Sequence, residues 1–190
     1  MTLPHRPGRP RASSRDMLAE AACELFLENG YESTSVADIT RRAGVSRSTF
    51  FNYFSSKADV VWGGLDERIV ALEARLSEAP PGDAPEHIRA GIAELAAGFV
   101  PDTLALALLH ATTMGFAGEL EREASVRRAR IGRAVAQRMR RDGAERLRAD
   151  VVGAAVGGGV LAAIEVWAQA GPDRPDLTGL VERVLGFAGL

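Results

Sequence analysis

The chain is short of several things at once. It has one cysteine (Cys23) and one lysine (Lys57), and aromatic side chains make up 6% of its 190 residues. A lone cysteine excludes an internal disulfide and fits a reducing compartment; on a helix it reads as a small core filler. His87 and His110 have no ligand spacing with each other or with Cys23, so no metal site is expected. Alternating β-branched runs and hairpin dipeptides are nearly absent, which argues against a β fold. The opening MTLPHRPGRPRASSRD has arginines but no apolar stretch and is not a signal peptide. The apolar run VVGAAVGGGVLAAI, residues 151–164, lies between Asp150 and Glu165. It is too short to cross ~30 Å of hydrocarbon and reads as a buried helix. A cytoplasmic protein without a membrane partner is expected.

Catalytic signatures are missing too. Gly44-x-Ser46-x-Ser48 lacks the closing glycine of a nucleophile elbow, and no base–acid pairing is apparent. Gly157-Gly158-Gly159 is not followed by the Gly-Lys-Ser/Thr of a phosphate loop. No catalytic residue, enzymatic activity or cofactor is expected.

What is present is a set of helices and an uneven distribution of charge. The net charge is −2, so the whole chain is no basic nucleic-acid coat. Residues 1–57 nevertheless carry eight basic and six acidic side chains, whereas 58–190 carry fifteen and nineteen. No acid occurs before Asp16, nor between Asp38 and Asp59.

Ser13-x-x-Asp16, Ser35-x-x-Asp38 and Ser56-x-x-Asp59 are capping-box-like helix starts. Gly30 and Gly44 fall where the first two helices should stop. The pattern predicts helices over Ser14–Asn29, Val36–Ala43, Arg47–Phe54 and from Lys57 to near Glu78. Beyond the loop APPGDAP (79–85), it predicts others near 85–99, 102–116, 119–141, 144–170 and 176–188. The fold class is all-α: an N-terminal three-helix domain with a helix-turn-helix, joined by a long fourth helix to a second all-helical domain. The expected divisions are a basic arm at 1–12, a DNA-binding domain at 13–60 and a ligand-binding and dimerisation domain at 61–190.

Helix 2, the turn Gly44-Val45-Ser46 and helix 3 make the helix-turn-helix. Val36, Ile39, Val45, Phe50 and Phe54 are spaced to face Leu25 and Phe26 of helix 1. At about 100° per residue, Ser48 and Asn52 then lie opposite the Phe50/Phe54 side, flanked by Thr49 and Phe51. A helix about 10–12 Å across fits a major groove about 12 Å wide, where arginine, asparagine and serine can read base edges. Threonine, tyrosine and lysine suit phosphate oxygens. An acid on this face would be repelled by DNA, and there is none.

Residues 13–62 resemble the N-terminal domain of the TetR/AcrR family of transcriptional regulators. The resemblance rests on Leu25-Phe26, Gly30-Tyr31, Thr34-Ser35, Ala43-Gly44-Val45-Ser46, Thr49-Phe50, Tyr53-Phe54 and Lys57, in that order and spacing. It implies base readout by Arg47, Ser48, Phe51 and Asn52, and phosphate contacts from Ser35, Thr49, Tyr53 and Lys57. Position 51 is commonly tyrosine in that family and is phenylalanine here, which trades a hydroxyl contact for an apolar one suited to a thymine methyl. The arm RPGRPR (6–11) resembles a short motif that lies in narrow A·T minor grooves, which makes Arg6, Arg9 and Arg11 candidate minor-groove contacts.

The resemblance also implies a homodimer that binds a palindromic double-stranded operator as a repressor and is released by a small, largely apolar effector. An architectural DNA binder or an activator without an effector pocket is the alternative. Candidate pocket residues are Trp62, Phe99, His110, Thr113, Met114, Phe116 and Trp167. A dimer surface is expected at Gly157, Gly158, Leu161, Leu177, Leu180, Val181, Val184 and Leu185, because glycines let helices approach and the last helix carries an apolar stripe. The run 122–141 holds eight arginines against one acid; it reads as a solvated helix face or as the mouth of a pocket for an anionic ligand. Thr49–Asp66 and the helices after it are similar to the mycofactocin-associated branch of the family, which would imply an acyl-CoA-like effector.

Overall fold

A computed structural model describes residues 14–100, 102–171 and 174–190. The arm arginines Arg6, Arg9 and Arg11, and the helix start at Ser13, lie outside the described residues. Helices begin where side chains satisfy free N–H groups. α1 spans Ser14–Asn29 and α2 Val36–Ala43. At the head of α2, the Asp38 N–H donates to Ser35 Oγ (3.2 Å) and the Ser35 N–H donates to Asp38 Oδ2 (3.0 Å), a closed capping box. Gly44 ends α2 with φ +68°, a left-handed conformation that favours glycine. α3 spans Arg47–Tyr53, with Ser46 as its cap and Phe54 just past its end.

The fourth helix departs from expectation. A short 3-10 turn, Asp59–Trp62, comes first, and α4 runs Gly63–Glu78. The Ser56 hydroxyl does cap Asp59 N–H (3.2 Å), but the Asp59 carboxylate turns to Ser55, taking its N–H (3.1 Å) and its hydroxyl. Two glycines, Gly63 and Gly64, follow immediately and weaken helix propagation there. The remaining helices are α5 (Ala84–Ala96), α6 (Thr103–His110), α7 (Ala117–Arg141), α8 (Arg146–Gln169) and α9 (Leu177–Phe187). No strand occurs among the described residues.

Residues 142–145 join α7 and α8 into an antiparallel pair whose backbones touch. A methyl group on Gly132 would lie 2.8 Å from Gly153 O, and one on Gly157 would overlap Arg128 O. These glycines therefore allow close approach within the chain. Gly159 gives the same room to Val184 of α9. Of the eight residues expected at a dimer surface, Gly157, Leu161, Leu177, Val181 and Leu185 are buried in the chain's own core. Gly158, Leu180 and Val184 stay half-buried. α8 is apolar and long enough to cross a membrane by length and composition, with mean hydropathy 1.8. Half of that window is buried against neighbouring helices, the pattern of a core helix.

Several arginines of α7 are engaged within the chain rather than free on a solvated face. Arg138, fully buried, donates to Ala79 O (2.8 Å), Pro80 O (2.6 Å) and Gly82 O (2.8 Å), and pairs with Asp142 (2.7 Å). Arg141 donates to Leu76 O (3.3 Å) and Ser77 O (2.6 Å). Together they cap the carbonyl end of α4, which has no N–H partners of its own. Arg130 pairs with Glu73 (2.7 Å) and Asp66 (3.2 Å).

Candidate nucleic-acid interface

α3 is anchored by very little of itself. Of Arg47–Tyr53 only Phe50 is buried; Thr49 is half-buried, and Arg47, Ser48, Phe51, Asn52 and Tyr53 are exposed. Phe50 and Phe54, with ring centroids 5.5 Å apart, hold it to the core formed by Ile39, Leu25 and Phe26. The structure thus brings the four expected base-reading side chains onto one outward face. The Arg47 guanidinium sits over the Phe51 ring, 5.6 Å from its centroid. Phe51 and Tyr53 are each 48% exposed, which is costly apolar exposure for a surface without a partner. No acid lies on α3.

The expected phosphate ligands differ among themselves. The Tyr53 ring is exposed beside the face. Thr49 Oγ1 shares a hydrogen bond with Ser46 Oγ (2.8 Å), which also meets Ser48 Oγ (2.8 Å). The Ser35 hydroxyl donates to Asp38 Oδ2 (2.6 Å) while accepting the Asp38 N–H, so it is engaged in its own cap. This hydrogen bond holds the Asp38 carboxyl below its ordinary range.

Lys57 has another job. Its ammonium donates to Tyr31 O (2.6 Å) and Thr34 O (3.1 Å) and lies 3.9 Å from the centre of the Tyr31 ring. It braces the α1–α2 loop, and at most one of its three protons remains for a phosphate. Burial pushes the Tyr31 hydroxyl up to about 12, with Glu119, Glu32 and Glu123 adding to the shift.

Several contacts tie this unit to the rest of the chain, among them the Arg15–Glu67 pair between α1 and α4; two others bear on α3. At the α6–α7 turn, Met114 O accepts the Tyr31 N–H (2.7 Å), and Phe116 stacks 4.5 Å from Tyr31 and 5.8 Å from Phe26. Arg127 of α7 makes the second tie. Only 4% exposed, it pairs with Asp66 of α4 (2.5 Å), with Asp59 of the 3-10 turn (3.5 Å) and with Glu123, and its guanidinium covers the Trp62 ring at 4.6 Å. Asp59 in turn holds Ser55, one residue past the end of the α3 cap. Sequence reasoning missed this cluster, in which Arg127 meets Asp59, Trp62 and Asp66 more than sixty positions away; the one local signal was the Glu123–Arg127 spacing of a helical ion pair.

The residues expected to line an effector pocket are dispersed. Trp62 does border a cavity of about 230 Å³, with Leu108, Ala111, Leu120, Ala124 and Leu161 as apolar wall and Glu121, Arg128 and Glu165 near the surface. Phe116 instead packs against Phe26 of α1, Met114 is buried at the α6–α7 turn, and Thr113 is exposed. Phe99 meets Trp167 edge-on at 5.3 Å, away from that cavity, and His110 is half-buried at the end of α6. An apolar residue at helical spacing signals burial but not which void it faces.

A larger cleft of about 590 Å³ lies between α1, α4 and the start of α6. Three of its carboxylates are already engaged: Glu67 with Arg15, Glu24 with Arg42, and Asp102 as the α6 cap on Leu104 and Ala105 N–H. Cys23 on its wall is 2% exposed, and burial pushes its thiol up to about 12. No metal-binding cluster occurs among the described residues.

Residues 18–61 match the sequence profile of bacterial regulatory proteins of the tetR family. The chain is 31% identical over 150 residues to the HTH-type transcriptional regulator TcmR of Streptomyces glaucescens, a match that covers 72% of this chain and 66% of that one. The chain belongs to the TetR family. It is also 37% identical over 76 residues to MftR, a mycofactocin biosynthesis transcriptional regulator of Mycobacterium tuberculosis, over 39% of this chain and 38% of the relative. The matches thus span from about two-fifths to just under two-thirds of these two relatives. Among solved structures, the TetR-family regulator CifR bound to a 26 bp operator duplex superposes with TM-score 0.54 at 29% identity, covering 94% of this chain and 98% of that one. NalD of Pseudomonas aeruginosa gives TM-score 0.61 at 21% identity, over 93% and 95% of the two chains, and shares the all-helical TetR fold. The relatives are named as transcriptional regulators, not enzymes.

Proposed function

We propose that the protein is a dimeric transcriptional repressor that reads a palindromic operator through α3 and is released by a small, largely apolar ligand. The observation that carries the DNA reading is the outward set Arg47, Ser48, Phe51 and Asn52 on a helix with one buried residue. The fit of such a helix to a major groove and the base-edge chemistry of these side chains support it. The operator-bound state of CifR, similar over nearly the whole chain, supports it as well.

Two copies place two recognition helices on successive half-sites about 34 Å apart. The outward face of α8 suits self-association. Leu147, Val151, Ala155, Ala162 and Val166 are exposed on one side of the helix, and at Gly158 a methyl group would meet nothing.

Release is proposed to run from the 230 Å³ cavity through Trp62 to Arg127, then to Asp59 and Ser55 at the end of α3. A ligand that displaces Trp62 changes the Arg127–Asp59 contact and so the seating of α3, which alters operator affinity only by its differential binding to the two arrangements. An engineered cavity of about 150 Å³ holds benzene, so this one suits a compact molecule rather than a whole acyl-CoA.

Selection of bound duplexes from random DNA tests the function. A recurring inverted repeat is the expected product, and no enrichment at low salt would refute it.

A further inference from the structure

Arg47 differs from the other arginines of the helix-turn-helix. In α2, Arg41 pairs with Asp38, and Arg42 pairs with Glu24 (3.1 Å) and Glu28 (2.7 Å). Arg47, exposed at the first position of α3, has no carboxylate partner among the described residues. Its guanidinium lies instead over the Phe51 ring, one helical turn further on, 5.6 Å from the centroid. Phe51 is itself held in place: its ring meets the buried Phe50 ring edge-on at 5.3 Å while remaining 48% exposed. α3 therefore presents a cation stacked on a fixed aromatic ring, both at the surface.

The two members of this stack differ in base-edge chemistry. An arginine fork matches O6 and N7 of guanine, and an apolar side chain matches the methyl group of thymine. Contact with Phe51 narrows the arc that the long Arg47 side chain sweeps, so less rotamer freedom is lost when the fork closes. Base pairs stack about 3.4 Å apart, so two side chains in contact with each other reach contiguous pairs.

We propose that Arg47 and Phe51 act as one reading unit for a guanine and the thymine of the adjoining base pair. The guanidinium forks onto guanine O6 and N7, while the Phe51 ring covers the thymine methyl and keeps the fork in line. This deepens the regulator reading above and rests on it for the docking of α3 in the major groove. It makes Phe51 a specificity-determining residue in its own right and a positioning residue for Arg47.

Single-group changes in the selected duplex test the assignment by anisotropy titration of the full chain. Deoxyuridine in place of thymidine removes only the methyl, and 7-deazaguanine removes only the N7 acceptor. At one thymine adjoining a guanine in a half-site, uracil should weaken wild-type binding about threefold or more. At that guanine, 7-deazaguanine should weaken it about fivefold or more. In Phe51→Ala the thymine-to-uracil ratio should fall to about one and the 7-deazaguanine effect should shrink. Phe51→Tyr, which keeps the ring, should retain both. In Arg47→Ala the 7-deazaguanine effect should vanish. Each ratio is taken within one variant, so a general loss of affinity or of folded protein leaves it unchanged.

A selected repeat with no thymine adjoining a guanine, or uracil substitution without cost at every such position, would overturn the proposal. So would a methyl preference that survives Phe51→Ala, or a 7-deazaguanine effect that survives Arg47→Ala. If the selected repeat still binds more tightly than a scrambled duplex in those cases, only this assignment is refuted and the regulator reading stands. No enrichment of any duplex would refute both.

Discussion

Lys57 and Arg47 are cations ten positions apart, yet they answer to different partners. Arg47 reaches outward over Phe51, whereas Lys57 reaches back to two carbonyls of the α1–α2 loop. Arg47→Ala should therefore weaken binding to the selected operator by about 1–3 kcal/mol and relax its sequence choice, while leaving the unfolding midpoint in place. Lys57→Ala should lower the unfolding midpoint instead, by an amount equivalent to about 1.5–3 kcal/mol, because charge-assisted hydrogen bonds to buried acceptors are lost. Urea unfolding and fluorescence anisotropy on the two variants distinguish these roles.

Cys23 gives a second test at this scale. Its buried thiol keeps its proton well above the ordinary range, so labelling by a thiol reagent at pH 8 should be slow until the chain unfolds. The folded pKa is raised, so the contribution to stability is full below the ordinary thiol pKa and declines as pH climbs from there towards about 12. A pH series of urea midpoints should show that decline on the alkaline side; a midpoint that rose there would contradict the burial assignment.

At the scale of elements, the glycines of α8 look alike in the sequence and differ in the fold. Gly157→Ala drives a methyl group into Arg128 O of α7 and should destabilise by about 1–3 kcal/mol through overpacking. Gly158→Ala meets nothing and should be neutral or stabilising by up to about 1 kcal/mol through helix propensity. Thermal unfolding of the two variants reads the difference directly.

The helices around these positions were legible because their signals are local. Ser35 and Asp38 cap α2, Gly44 ends it, and α9 carries its stripe as Leu177, Val181 and Leu185. The partners of those apolar faces were not legible. Nothing local says that Gly157 faces α7 of its own chain rather than a second copy. Nor does the spacing of eight arginines on α7 say that Arg138 and Arg141 finish the end of α4. The outward face of α3 was legible for the opposite reason: its function requires exposure, and exposure on a short helix follows from its phase relative to Phe50 and Phe54.

At the scale of the molecule, α1–α3 meet the helices that follow at the α6–α7 turn and through the Arg15–Glu67 pair, and Arg127 ties α7 to the 3-10 turn after α3. Arg127→Met keeps a long side chain and removes the ion pairs to Asp59 and Asp66. If this cluster couples the cavity to α3, operator binding of the variant should persist while its response to a cavity ligand is reduced. An unchanged response would place the coupling elsewhere.

The proposed dimer predicts that Val151→Glu on the outward face of α8 shifts the chain to monomer in sedimentation and weakens operator binding in step. The central claim remains that α3 reads base edges. Its most direct test is anisotropy titration at one fixed salt concentration, comparing the selected inverted repeat with a scrambled duplex. The account predicts tighter binding to the repeat by about a thousandfold or more, with that preference sharply reduced in Asn52→Ala. Equal binding of both duplexes, or a preference untouched by changes at Arg47 and Asn52 alike, would contradict it.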